Sequence, residues 1–140
     1  MINIDAYLTF NGNCREAMTF YKSCLGGELE MQVVRDSPMS GEWPPAVQDQ
    51  VLHATLWAGD KILLLGSDMG APGTNLNGTR VSISFSCTSE EELSNSFSRL
   101  SEGAKITHPI HDFYAGKIGA MVDKYGFSWL FYYHNGKADK

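Results

Sequence analysis

Apolar and polar residues alternate along Ile4-Asp5-Ala6-Tyr7-Leu8-Thr9-Phe10, the period of a half-buried strand. Asn11-Gly12-Asn13 breaks the run, and the period then changes. Ala17, Phe20, Tyr21, Cys24 and Leu25 stand at i, i+3, i+4, i+7 and i+8, one apolar face of a helix. Asn13 and Glu16 have the spacing of an N-cap and its capping-box partner, and Gly26-Gly27 supplies the stop. A second strand is expected over Glu28 to Asp36. Two more, Val51 to Gly59 and Lys61 to Leu65, should meet at a Gly59-Asp60 hairpin turn.

The second half repeats this order. Thr79 to Cys87 alternates as a strand, Ser89 and Glu92 form another capping box, and Leu93, Phe97 and Leu100 give an apolar helical face closed by Gly103. Lys105 to Asp112, Ile118 to Val122 and Ser128 to His134 complete the set, with a turn at Lys124-Tyr125-Gly126. Asn13 and Ser89, Glu16 and Glu92, Tyr21 and Phe97, and Gly27 and Gly103 are each 76 positions apart. One βαβββ unit covers a single sheet face with its single helix, so a second unit is needed to complete the domain. The expectation is one α+β domain over residues 1–140, with module 1 at about 1–68, a linker at about 69–78 and module 2 at about 79–134. Two tandem βαβββ modules should form a cup-shaped mixed sheet with the helices on the outer face. A concave sheet with a few polar side chains is a natural site for a small molecule.

Composition narrows the partners. The chain has 11 Lys and Arg against 16 Asp and Glu, a net charge of -5, and no basic run, which argues against nucleic acid and anionic membranes. Its apolar stretches, such as Ile62 to Leu65, are too short to span a bilayer, and Met-Ile-Asn-Ile-Asp is unlike a signal peptide. Cys14, Cys24 and Cys87 fit no metal spacing and read as reduced core thiols, so a cytoplasmic location is expected.

The candidate ligand-binding residues come from strand phase. In Val51 to Trp57, Leu52, Ala54 and Leu56 share one face, which places His53, Thr55 and Trp57 on the other. Tyr7 and Thr9 likewise oppose Ala6, Leu8 and Phe10. His53 is the best candidate for catalysis if there is any, since an imidazole can take a proton, donate to an oxyanion or bind a metal. A buried His bonded to a neighbouring hydroxyl is the competing reading. Trp57, Phe113, Tyr114, Tyr132 and Tyr133 add rings that suit a flat or amphipathic ligand, while Trp129 and Phe131 read as helix packing. His108 and His111, at i and i+3 on a strand, should point to opposite faces and so not chelate, with Pro109 marking an edge or bulge. The Ser37 to Gln50 loop, with Trp43 among prolines, suits a lid, a dimer contact or disorder.

Tyr7-Leu8-Thr9-Phe10-Asn11-Gly12-Asn13-Cys14-Arg15-Glu16-Ala17, with Phe20-Tyr21 and Leu25-Gly26-Gly27, resembles the PhnB-like branch of the vicinal oxygen chelate superfamily. That superfamily holds glyoxalases, bleomycin-resistance proteins and extradiol dioxygenases. His53-Ala54 with Gly59-Asp60, Ser67-Asp68, and Asp123-Lys124-Tyr125-Gly126 before Trp129 agree in order. The resemblance implies a homodimer and, in the superfamily's enzymes, a divalent metal held by His, Glu or Gln on the first and last strands of the modules. Those positions fall near Asp5, near Leu65, at Ser82 and near Leu130, and only Asp5 is a good ligand type. No metal is therefore expected there and no cofactor is predicted, with a divalent metal kept as the alternative. The methyltransferase label attached to the branch fits poorly, because no Gly-rich turn follows a strand as a nucleotide-like cofactor needs. The expected function is binding of a small organic ligand in an aromatic-lined cup. The alternative is a metal-dependent lyase, isomerase or dioxygenase acting on vicinal oxygens, and whether the protein is an enzyme stays open.

Overall fold

A computed structural model describes residues 5–38, 40–68, 81–113 and 116–134. The chain divides into two units, Met1–Leu76 and Asn77–Lys140. In the first, β1 (Tyr7–Thr9), α1 (Cys14–Leu25), β2 (Glu28–Val33), β3 (Val51–Ala58) and β4 (Lys61–Ser67) follow in order. They build a four-stranded sheet β1-β4-β3-β2 in which β1 and β4 are parallel and the other neighbours antiparallel. In the second, β5 (Ile83–Cys87), α2 (Glu90–Leu100), β6 (Lys105–Phe113), β7 (Gly116–Val122) and β8 (Ser128–His134) give β5-β8-β7-β6, again with one parallel pair. The same topology twice is the α+β fold of two tandem βαβββ modules. The expected linker at 69–78 lies outside the described residues, as do Ile4, Thr79 and Tyr114.

Helix α1 lies over β2, β3 and β4. Its buried face is Cys14, Ala17, Met18, Tyr21 and Cys24, so Met18 takes a place that the periodicity assigned to Phe20, which is half-buried. The approach to β4 is close at Gly66, where a Cβ would meet Met18 Sδ at 3.1 Å and Cys14 Sγ at 3.3 Å. In the second unit Leu93, Phe97 and Leu100 bury against the sheet. Phe97 meets Phe131 edge-on at 5.5 Å, and Trp129 stacks on Phe131 at 5.8 Å, the helix packing expected of both rings. Asp123 accepts the Trp129 Nε1 proton at 2.8 Å and the Tyr125 and Phe127 amides at 2.8 and 3.0 Å, which shapes the turn between β7 and β8.

The two helices are capped differently. Ser89 Oγ accepts from the Glu92 amide at 3.0 Å, as the capping box requires, and Glu92 Oε1 reaches back to the Thr88 amide at 2.8 Å. Asn13 makes no side-chain cap bond. The Cys14 and Gly12 amides donate instead to Asp68 Oδ1, at 3.0 and 2.9 Å. A carboxylate from the end of β4 has taken the place of the local cap.

The expected second strand stops at Val33, and Val34–Asp36 turns as a 3-10 helix. The long loop that follows is folded on itself, with further 3-10 turns at Ser40–Glu42 and Pro45–Val47. Gln48 Nε2 donates to the Ser40 and Trp43 carbonyls at 2.9 and 3.0 Å. No helix among the described residues is long and apolar enough to cross a membrane.

Candidate functional site

Strand β3 sorts its side chains by alternation. Ala54 and Leu56 are fully buried on the α1 side, while His53 stands exposed on the face that the helix leaves open. On that face a register row runs from Tyr7 through Leu65 and Thr55 to Glu30, crossing all four strands. Tyr7 is 52 % exposed, and its ring centroid lies 6.0 Å from that of His53 at a 44° tilt. Thr55 Oγ1 is 3.2 Å from His53 Nε2, and which of the two donates depends on the imidazole tautomer. Thr55 is buried.

Trp57 is half-buried, and its Nε1 donates to Glu30 Oε1 at 2.7 Å. Thr9, also half-buried, registers with Ser67, whose hydroxyl donates to the Leu52 carbonyl at 2.8 Å. The structure thus brings Tyr7, His53 and Thr55 into one group, with Trp57 held beside it by Glu30. Sequence reasoning did not find Glu30, because no periodicity reveals which carboxylate an indole N–H will meet. Two rings, a hydroxyl and an imidazole on one open face can offer flat apolar contact together with directed hydrogen bonds.

The profile of the 3-demethylubiquinone-9 3-methyltransferase family matches residues 3–131. Protein PA1353 from Pseudomonas aeruginosa is 34% identical with a TM-score of 0.82, over 96% of this chain and 98% of that one. The PhnB protein from Bacillus cereus is 25% identical with a TM-score of 0.74, over 94% and 99% of the two chains. The chain belongs to this family, and its likeness to the PhnB protein supports the PhnB-like branch. A glyoxylase/bleomycin resistance protein/dioxygenase domain from Frankia shares the fold at 18% identity, with a TM-score of 0.62 over 98% and 95% of the chains.

For this PhnB-like chain the donor set at the superfamily's metal positions does not fit a metal. Leu65 and Leu130 carry no donor atom, and Asp5 and Ser82 are exposed. Among the described residues no three His, Cys, Asp or Glu side chains converge as metal ligands. A nucleotide-like methyl donor fits no better. Such cofactors sit at the N-terminus of a helix after a glycine-rich turn. Here the amides leading into α1 are engaged by Asp68, and the N-terminus of α2 by Ser89.

The expected divergence of His108 and His111 is not what the structure holds. His108 registers with Ala120 and His111 with Ile118, so three steps along β6 match two along β7. The extra residue is a β-bulge, and Ala120 and Ile118 lie on the same face of β7. Ile110 crosses to the other face, where it meets the position of a Cβ on Gly119 at 3.1 Å, beside Phe97. The bulge expected at Pro109 is present, and its consequence is that both imidazoles share the open face. His134 is exposed, with ring contacts to Tyr132 at 5.0 Å and Phe113 at 6.1 Å.

Cys14, Cys24 and Cys87 are all buried. Burial above all, with the neighbouring Asp68 carboxylate and against Arg15, pushes the Cys14 thiol up to about 12. Burial also raises Cys87, to about 11, with Glu92 contributing. Neither is a nucleophile at neutral pH.

Proposed function

We propose that this protein binds a small organic molecule on the open face of its first sheet and releases it unchanged. Tyr7, Thr9, His53, Thr55 and Trp57 are the ligand-binding residues of this reading. The observation that carries it is the grouping of Tyr7, His53 and Thr55 on a face that α1 leaves uncovered. Tyr7 and Trp57 favour a flat or amphipathic ligand, and His53 favours one with a hydroxyl or carbonyl oxygen. Binding is preferred to metal-assisted turnover because, of the positions near Asp5, near Leu65, at Ser82 and near Leu130 where the resemblance implies a metal, only Asp5 is a good ligand type. The same reading makes the protein a cytoplasmic homodimer without nucleic-acid or membrane partners.

Titration with mono- and dihydroxylated aromatic acids, followed by 1H–15N shifts, tests the proposal. The Trp57 indole and the backbone amides of His53 and Thr55 should move together and saturate, and mass spectrometry should recover each probe intact. Shifts confined to other surfaces would refute the site. A product peak would transfer the conclusion to the enzyme reading.

A further inference from the structure

The bulge in β6 creates a second arrangement that the first sheet does not have. His108 and His111 occupy register positions on one face, two steps of the partner strand apart. That separation is roughly 6.6 Å along the strand, short enough for two imidazoles to converge on one ion. Both residues are exposed, and β6 is the edge of its sheet, so the approach from solvent is open.

The protonation of one ring is settled by its partner. His111 Nδ1 lies 2.8 Å from the Pro109 carbonyl oxygen. A carbonyl can only accept, so Nδ1 carries the proton and the neutral ring keeps its lone pair on Nε2. A ring N–H bonded to a backbone carbonyl is the outer-shell arrangement that orients histidines toward metals. Pro109, the residue that marks the bulge, also supplies this acceptor. Asp112 stays out of the group: it registers with Lys117 on the opposite face and bonds Lys117 Nζ at 2.7 Å.

We propose that His108 and His111 form a two-imidazole site for a borderline divalent transition metal, Cu(II) before Ni(II) or Zn(II). Imidazole pairs suit these ions, and copper binds most tightly in the series. With two protein ligands the remaining coordination positions are left to water, so the ion exchanges freely. The site uses residues of the second unit's sheet other than those at the superfamily's metal positions, and it does not depend on the proposed function.

The test is substoichiometric Cu(II) added to the whole chain while the ring Cε1–H resonances of the four histidines are followed. His108 and His111 should broaden together before His53 and His134, below one equivalent. His111→Ala and His108→Ala should each weaken copper binding by about tenfold or more, at least the loss that follows removal of an outer-shell partner. Because both side chains are exposed, circular dichroism should find each variant folded. In His111→Ala the early broadening of His108 should disappear, since a chelate is lost as a unit. Broadening that begins at His53 or His134, or that persists at His108 in His111→Ala, would overturn the proposal.

Discussion

Asp68 and Val51 hold each other by two hydrogen bonds. The Val51 amide donates to Asp68 Oδ2 at 2.9 Å, and the Asp68 amide donates to the Val51 carbonyl at 2.9 Å. The other carboxylate oxygen takes the Gly12 and Cys14 amides. One side chain thereby joins the start of β3, the end of β4 and the N-terminus of α1, where a negative charge also suits the helix dipole. Two residues beyond Val51 on β3 stands His53, so the position of the candidate site depends on this junction.

Asp68→Ala should therefore destabilise the domain severely. It leaves three amides without an acceptor, two of them in buried hydrogen bonds, and each buried unsatisfied donor costs about 1–3 kcal/mol, so a loss of roughly 2–6 kcal/mol is expected in urea denaturation. Asp68→Asn should lose less, because its carbonyl oxygen can still serve one side. A loss below about 1 kcal/mol for the alanine variant would show that water replaces the carboxylate without penalty.

His53→Ala should separate stability from binding. An exposed side chain contributes little packing, so the denaturation midpoint should move by no more than about 0.5 kcal/mol. Affinity for the hydroxylated aromatic probes should fall by one hydrogen bond, about 0.5–1.5 kcal/mol. A large fall in stability with unchanged affinity would make His53 a structural residue.

The thiol of Cys14 gives a pH dependence with a definite sign. Its folded value is raised to about 12 from 9.0, so above pH 9 the unfolded chain releases a proton that the folded chain retains. Stability should fall as pH climbs through that window, whereas Cys14→Ala should lack this part of the slope. At pH 8 native Cys14 should resist iodoacetamide and react once urea unfolds the chain. Rapid alkylation of the folded protein would contradict the buried, protonated thiol.

Gly27→Ala should disturb the strand pair that carries Trp57. Gly27 has φ +97, and a Cβ there would lie 2.3 Å from the Trp57 carbonyl oxygen, a backbone atom that cannot swing away. Strained backbone alone costs about 1–2 kcal/mol, and the overlap adds to it. The variant should unfold at lower denaturant, and the Trp57 indole resonance should shift even where the fold survives.

Local periodicity was enough for much of this. The two helices begin where Asn13 and Ser89 stand as caps by position, and the open-face placement of His53 and Tyr7 follows from strand alternation alone. Each of these depends on neighbours within a few residues, and a 3.6-residue or two-residue period is written in those neighbours. The repeat was legible for the same reason, since each module carries its own caps and faces.

What only the tertiary structure decided involves partners distant in the chain. The cap of α1 comes from Asp68, 54 residues beyond the Cys14 amide that donates to it, and no local period links the two. The indole of Trp57 is oriented by Glu30, 27 residues earlier. His108 and His111 come to one face because β6 has one more residue than β7 between two register points, and a count along β6 alone assigns them to opposite faces. Alternation within a strand is a property of its own backbone, but register and bulges are properties of a pair, and the partner that sets them is chosen only when the chain folds.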